Sequence, residues 1–170
     1  MITKRKVITV RFMAEAGIIA AIYFVLTVAI APLSYGQIQL RISEALCILP
    51  FFTPAAIPGL FLGCLLANIY STLGVFDVVF GSLATLIAAY LTYKIAHLPG
   101  EKKWHKWMLP LPSVIVNAFV VGALLYFLVE LPFWLSVVYV GAGQAIACYI
   151  LGMPLFFLLS KHKTKLFRRK

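Results

Sequence analysis

The fold of this chain depends on residues 42–70, which read ISEALCILPFFTPAAIPGLFLGCLLANIY. The stretch is almost entirely apolar, and it is interrupted by three prolines: Pro50, Pro54 and Pro58. A membrane span needs about 20 apolar residues, so the stretch is too long for one upright span and too short for two full ones. Its length alone therefore fits either one tilted span or two short helices.

Four other apolar segments surround this stretch. They are Arg11–Ala31, Phe76–Ala96, Pro110–Val129 and Trp134–Ser160. The whole chain is 63% apolar with a mean hydropathy of +1.00. These values predict an all-α integral membrane protein. Because 170 residues accommodate about six spans and little else, we expect residues 1–170 to form a single membrane domain.

Charge decides between one helix and two in residues 42–70. The basic residues cluster in Lys4–Arg11, Lys94–Lys106 and Lys161–Lys170. Cytoplasmic loops carry an excess of Lys and Arg, so all three clusters belong inside the cell. An even number of crossings must then precede Lys94, which requires two helices, at about 42–52 and 54–70. The sequence thus predicts six transmembrane helices with both termini cytoplasmic. The basic residues behind the net charge of +10 then lie at the ends of the membrane segments, where they anchor the chain. This clustering does not favour nucleic-acid binding.

Several chemistries have no signature in the sequence. Cys47, Cys64 and Cys148 lie in apolar segments and are typical of small buried hydrophobes, so we expect neither a disulfide framework nor a metal site. There is no phosphate-binding loop, HExxH, CxxC or GxSxG motif. An enzyme is therefore disfavoured, no cofactor is expected, and any ATPase would be on another chain.

The polar residues within the apolar segments are the main functional clue. A charged side chain at mid-bilayer costs about 2.5–3.5 kcal/mol even on lenient scales, so such residues are functional candidates. With six spans, these residues share the outer half of the bundle: Arg41, Glu44, Asn68, Asp77, Asn117 and Gln144. The shared depth predicts a polar pocket that opens outward.

Local explanations remain open for individual members of this set. Arg41 and Glu44 are spaced i,i+3 and would neutralise each other on one helix face. Asn117 and Gln144 would also serve as interhelical hydrogen-bonding groups, each worth about 0.6 kcal/mol. Near the inner interface we expect Glu15 to pair with Arg11, four residues earlier.

Small residues recur at a spacing of four in two segments. Ala16/Ala20 and Gly17/Ala21 form overlapping pairs in the first helix, and Gly59/Gly63 form another pair in the third. Such spacing lets helices approach closely. We expect Gly59/Gly63 to pack within the bundle, whereas the first helix is also a candidate for docking a partner helix.

Longer motifs point to a family. They are APLSYG at 31–36, RISEAL at 41–46, LPFFTPAAIPG at 49–59, DVVFGSLATL at 77–86 and LPFW at 131–134. Together they resemble the QueT family, whose members are regarded as substrate-binding (S) components of energy-coupling-factor (ECF) transporters for queuosine precursors.

The resemblance implies a six-helix S-component bundle in the bacterial cytoplasmic membrane. It implies capture of a 7-deazaguanine, such as preQ0, preQ1 or queuine, from outside the cell. It also implies association with a transmembrane coupling protein and two cytoplasmic ATPases. The docking surface for the coupling protein would be the small-residue stripe of helix one, at Ala16, Gly17, Ala20 and Ala21.

The chemistry of a 7-deazaguanine suits the outer polar residues. Its adjacent N–H and NH₂ donors fit a carboxylate, for which we favour Glu44, and its carbonyl fits an amide such as Gln144 or Asn117. Trp134 and Tyr139 are candidates for stacking on the base. Two alternatives stay open: a stand-alone proton-coupled secondary transporter of a small heterocyclic solute, and a membrane enzyme with acid–base carboxylates.

Overall fold

The computed structural model describes residues 10–36, 39–99 and 104–162, and these ranges contain helices and turns but no strand. We number the helices in chain order. They are helix 1 (Val10–Ala29), helix 2 (Ile42–Phe51), helix 3 (Ala56–Asn68), helix 4 (Asp77–Ala96), helix 5 (Leu111–Val129) and helix 6 (Phe133–Lys161). Single helical turns, Ala31–Ser34 and His105–Met108, follow helix 1 and precede helix 5.

Four of these segments are long and apolar enough to cross a membrane: Val10–Ala29, Asp77–Ala96, His105–Val129 and Phe133–Lys161. Helices 2 and 3 are shorter apolar helices. The architecture agrees with the predicted all-helical membrane bundle. The basic segments 1–9, 100–103 and 163–170, on which the predicted orientation largely rests, lie outside the described residues.

Helix 2 is a 3₁₀-helix of 10 residues. Pro50 lies within it and lacks the N–H needed for a backbone hydrogen bond, and Phe52 N donates to Leu49 O across 2.8 Å in the tighter 3₁₀ pattern. A 3₁₀-helix rises about 2.0 Å per residue, so ten residues extend roughly 20 Å instead of the roughly 15 Å of an α-helix. The tighter winding therefore lengthens a short segment.

Helices 4 and 6 each contain a π-helical turn, at Asp77–Gly81 and Ile146–Leu151. Such turns are rare and are frequent at functional sites. The first one begins at Asp77, and the second begins two residues after Gln144. Both irregular turns therefore adjoin residues that the sequence marked as site candidates.

Helices 1 and 3 pack closely through their small residues. A Cβ atom at Gly59 would lie 2.8 Å from Ala16 O, and one at Gly63 would lie 2.8 Å from Ala20 O. Only glycine permits this separation, because a methyl group would collide with backbone. The predicted role of Gly59/Gly63 in packing within the bundle is confirmed.

Helix 2 lies in the centre of the bundle, and its residues 43–50 are all buried. It packs against helices 1, 4 and 6, and a Cβ at Gly152 of helix 6 would lie 3.1 Å from Ala45 O. Large apolar side chains such as Val25, Phe119 and Ile150 face outward. The centre of the bundle thus contains buried polar residues and its exterior is apolar, as expected of a protein in a lipid bilayer.

Candidate functional site

A buried ion pair joins the start of helix 2 to the start of helix 4. Arg41 Nη2 lies 2.9 Å from Asp77 Oδ2, and their side chains are 4% and 0% exposed. Arg41 Nη1 also donates to Asn68 Oδ1 across 2.9 Å. The Asn68 amide in turn donates to Asp77 O across 2.8 Å, and Ser71 Oγ donates to Asp77 Oδ2 across 2.6 Å. Helices 2, 3 and 4 are therefore tied together at one end by charge-assisted hydrogen bonds.

The segment between helices 1 and 2 completes this network. Arg41 Nη2 donates to Gln39 Oε1 across 2.9 Å, and its guanidinium carbon lies 5.6 Å from the Tyr35 ring centre. The Tyr35 hydroxyl donates to Ala67 O at the end of helix 3. Burial raises the pKa of the Tyr35 hydroxyl above its usual value, so it remains a neutral donor. We call Tyr35, Gln39, Arg41, Asn68, Ser71 and Asp77 the arginine network.

Glu44 lies one turn further along helix 2 and is only 2% exposed. It does not pair with Arg41, so the local i,i+3 explanation is wrong. Its Oε1 accepts a hydrogen bond from the Tyr23 hydroxyl of helix 1 across 2.5 Å. The Ser113 side chain of helix 5 also interacts with the carboxylate, and Cys148 Sγ of helix 6 donates to Glu44 O across 3.5 Å. Four helices thus meet at Glu44.

The two predicted amides each lie one helical turn from a residue that interacts with Glu44. Asn117 follows Ser113 by four residues, so it lies one turn, roughly 6 Å, further along the same face of helix 5. Gln144 precedes Cys148 by four residues, and the two side chains are in contact at 3.9 Å. Both amides are displaced from Glu44 toward the loop between helices 5 and 6. Asn117 and Gln144 are thus each one helical turn from a residue that interacts with Glu44, and we call Glu44, Asn117 and Gln144 the Glu44 cluster.

Some buried polar atoms in this region have no partner among the described residues. They include Asn117 Nδ2, Gln39 Nε2, Asp77 Oδ1 and Ser82 Oγ. A buried polar atom without a hydrogen bond costs about 1–3 kcal/mol, so native proteins rarely leave one unpaired. Unpaired donors and acceptors around the Glu44 cluster and the arginine network are what a site for a polar ligand requires.

The predicted aromatic residues are not part of this arrangement. Trp134 is 71% exposed and Tyr139 is 38% exposed, on the outside of helix 6. A separate apolar cavity of about 510 Å³ lies between helices 4 and 5, where it is lined by phenylalanines such as Phe76, Phe119 and Phe127. It contains none of the predicted polar residues.

The small residues of helix 1 divide between two faces. Ala16 and Ala20 are each 6% exposed and pack on helix 3. Gly17 and Ala21 face outward, and a Cβ at Gly17 would meet nothing within 4 Å. Of the predicted docking residues, only Gly17 and Ala21 are thus open to a partner. The predicted Arg11–Glu15 pair is confirmed, with Nε and Oε1 separated by 2.9 Å.

Sequence reasoning missed several polar residues of the site. Tyr23 and Thr27 of helix 1 are spaced i,i+4 and fully buried, and Thr27 Oγ1 lies 2.7 Å from Ser43 Oγ. Because residues four apart lie on the same helix face, this spacing could have predicted a polar face on helix 1. Ser113 had a similar signal, because it lies four residues before Asn117. Within the described ranges, no group of three or more His, Cys, Asp or Glu side chains is arranged to hold a metal ion.

Comparison with known proteins assigns the chain to a family. A family model described as the QueT transporter matches residues 13–161. The "Queuosine precursor transporter QueT" of Lactococcus lactis subsp. cremoris (strain MG1363) is 29% identical, and the alignment covers 79% of this chain and 83% of the relative. No solved structure matches. Since the family match covers most of the chain and its helices are long and apolar, this chain is a multi-pass membrane protein that belongs to the QueT transporter family.

Proposed function

We propose that this protein imports a queuosine precursor, a 7-deazaguanine, as the substrate-binding component of an ECF transporter. The substrate follows from the name of the Lactococcus lactis relative. The lack of a phosphate-binding loop in these 170 residues supports a division of labour in which other chains hydrolyse ATP. A transmembrane coupling protein and two cytoplasmic ATPases would supply the energy.

The proposal includes six crossings of the bacterial cytoplasmic membrane, with both termini in the cytoplasm. Helices 2 and 3 would be short crossings. The 3₁₀ winding of helix 2 and the 13 residues of helix 3 give each a length of roughly 20 Å, against about 30 Å of hydrocarbon. Because both lie among longer helices, neighbouring protein covers their polar ends, and the arginine network satisfies the polar groups at one of those ends.

The burial of Glu44 among helices 1, 5 and 6 is the observation that supports the proposal. Glu44 offers a carboxylate for the N–H and NH₂ donors of the base. Asn117 Nδ2 is a buried donor without a partner among the described residues, and it suits the carbonyl of the base. Gln144 supplies a further amide on the opposite helix. Arg41, Asn68 and Asp77 bind one another, so their role is to form the wall of the pocket next to the Glu44 cluster.

The coupling protein would dock on the outward face of helix 1. Gly17 and Ala21 leave a shallow surface there, and small residues let a second helix approach closely in a membrane. Ala16 and Ala20 would support this surface from behind, because they fix helix 1 against helix 3.

Ligand identification tests the function directly. The full chain is expressed alone, purified in detergent, and the small molecules that co-purify are identified by mass spectrometry. We expect a 7-deazaguanine, and we expect Glu44→Gln to weaken its binding at least about tenfold because a charge-assisted hydrogen bond is lost. Glu130→Gln, a change at the exposed carboxylate after helix 5, is the matched control and should leave binding unchanged. Unchanged affinity in Glu44→Gln would remove Glu44 from the site.

Uptake measurements separate this function from a second candidate. Glu44 is a buried carboxyl group without a cationic partner among the described residues, which is also what a proton-coupled secondary transporter requires. The importer proposal predicts uptake only when the coupling protein and ATPases are co-expressed. Uptake by this chain alone, driven by a pH gradient, would favour the secondary transporter instead.

A further inference from the structure

We propose that the apolar cavity between helices 4 and 5 binds one acyl chain of a membrane phospholipid. The acyl chain would pack on the outward side of the π-helical turn Asp77–Gly81, opposite the arginine network. This lipid site goes beyond the proposed import function, because it involves neither the substrate nor the coupling protein. It depends only on the position of this protein in a membrane.

The cavity is too large to be a packing defect and too apolar to hold water. Its volume is about 510 Å³, whereas the share of one water molecule in the liquid is about 30 Å³. Voids larger than a water molecule are few in protein interiors. A buried water molecule needs about two to four polar partners, and the residues that line this cavity are all apolar. A hydrocarbon ligand therefore suits it.

The cavity extends from one membrane interface toward the middle of the bilayer. At one end is Phe127, whose ring centre lies 5.0 Å from that of Tyr126. The rings of Phe133 and Trp134 continue this aromatic chain, and exposed Trp and Tyr side chains mark the headgroup level of a membrane. At the other end is Phe119, eight residues earlier in helix 5 and so roughly 12 Å deeper. One leaflet contains about 15 Å of hydrocarbon, so the cavity has the depth of an acyl chain.

The cavity is open to the lipid side of the bundle. Three of the side chains that line it, Phe76, Phe80 and Phe119, are each about half exposed, whereas the buried Leu124 closes it toward the core. A partner helix fits this cavity poorly, because close helix packing in a membrane relies on small residues and these bulky rings would hold a second backbone away. A single acyl chain is narrow and flexible enough to enter between the rings, and the surrounding bilayer supplies such chains.

The acyl chain would support the turn that carries Asp77. Phe76 and Phe80 are spaced i,i+4 and line the cavity, whereas Asp77 and Gly81 are buried on the other side of the same turn. A Cβ atom at Gly81 would collide with Asp77 Oδ1, so the carboxylate packs directly on the inner side of the turn. Lipid on the outer side and the arginine network on the inner side would together hold this irregular turn in place. Loss of the lipid should therefore destabilise the bundle.

Native mass spectrometry of the full chain, purified in a mild detergent, counts the phospholipids that stay bound. We expect one phospholipid to remain on each chain. In Ala123→Phe the new ring would fill the cavity from its wall. The bound fraction should then fall at least about tenfold, because lost burial of only two methylene groups already weakens binding by that factor. Ala142→Phe adds the same ring at an exposed position of helix 6, so this matched control should keep the lipid.

The melting temperature gives a second measurement of the same site. The protein is depleted of lipid by washing with detergent, and dioleoyl phosphatidylcholine is then added back. The wild-type protein and Ala142→Phe should gain about 5 °C or more, since a ligand that binds only the folded state stabilises it, whereas Ala123→Phe should gain less than about 2 °C. If Ala123→Phe does not fold, Leu128→Trp replaces it, because this change narrows the same cavity from a position that is 40% exposed.

Two results would overturn the lipid site. One is a wild-type protein that retains no phospholipid, and the other is an Ala123→Phe variant that retains it as well as the wild-type protein does. Both results would leave the proposed import function intact, because that function is tested by substrate binding at Glu44. Unchanged lipid retention in Ala123→Phe, together with its failure to assemble with the coupling protein, would instead assign the cavity to a partner helix.

Discussion

Asp77, the first residue of helix 4, accepts a hydrogen bond from Arg41, the residue before helix 2, across 2.9 Å in the buried interior. The two residues are 36 positions apart in the chain. Their contact fixes the relative position of two helix ends and, through Asn68, that of a third. This ion pair is therefore a structural joint beside the Glu44 cluster.

Loss of one partner of this pair should destabilise the protein strongly. Asp77→Asn keeps the shape of the side chain but leaves the Arg41 charge buried without a counter-ion. Removal of one partner from a buried ion pair costs about 3–5 kcal/mol. We expect a large fall in melting temperature of the detergent-solubilised protein, measured by the fluorescence of its tryptophans.

The control for that variant is a carboxylate of the same bundle that is exposed. Glu130→Gln also removes one negative charge, and a surface substitution of this kind changes stability by no more than about 0.5 kcal/mol. Equal melting temperatures for Asp77→Asn and Glu130→Gln would show that the Arg41–Asp77 pair does not hold the helix ends.

Replacement of glycine by alanine should have different effects at Gly63, in the interface between helices 1 and 3, and at Gly17, on the open face of helix 1. In Gly63→Ala the new methyl group would lie 2.8 Å from both Ala20 O and Tyr23 Cβ, which should separate helices 1 and 3 at a cost of about 1–3 kcal/mol. In Gly17→Ala it would meet nothing within 4 Å, so stability should be unchanged or slightly raised. Thermal unfolding of both variants in one detergent tests this. Similar melting temperatures would contradict the close approach of helices 1 and 3.

The helix ends were predictable from sequence because prolines, polar turns and basic clusters mark them. The predicted segments Phe76–Ala96 and Trp134–Ser160 correspond to helix 4 and helix 6 within one residue at each end. The 3₁₀ winding of helix 2 and the π-helical turns were not predicted. These irregular turns change the backbone hydrogen bonding but not the pattern of apolar residues, so the hydropathy of the sequence does not reveal them.

The burial of these polar residues was more predictable than their pairing. Scarcity of polar residues in an apolar chain was enough to select Arg41, Glu44 and Asn117. The i,i+3 spacing suggested Glu44 as the partner of Arg41, but Arg41 has an extended backbone, with φ −100° and ψ 105°, and so is not on the same helix face. Its true partner, Asp77, is set by tertiary packing. Trp134 was predicted from its expected position near the mouth of the outward pocket, which does not determine whether its side chain points inward.

A bulky residue at Gly17 should separate binding from transport. Gly17→Leu fills the open face of helix 1 and should reduce uptake by the complete transporter more than about tenfold, since small residues there permit close helix approach. Substrate affinity of the isolated chain should not change, because Gly17 points away from Glu44. Uptake of radiolabelled substrate and calorimetry measure the two effects. Ala142→Leu, at an exposed position of helix 6, is the control for added bulk, and normal uptake in Gly17→Leu would exclude this face as the docking surface.

Loss of the amide should affect mainly stability at Asn68 and mainly ligand affinity at Asn117. In Asn68→Leu, Arg41 Nη1 and Asp77 O both lose a partner, so stability should fall by about 2 kcal/mol or more. In Asn117→Leu an unpaired donor is removed, so the ligand-free protein should lose far less stability, while affinity for the 7-deazaguanine should fall about tenfold or more. Melting temperatures with and without ligand measure both. A variant Asn117→Leu that binds normally would show that its amide does not face the ligand.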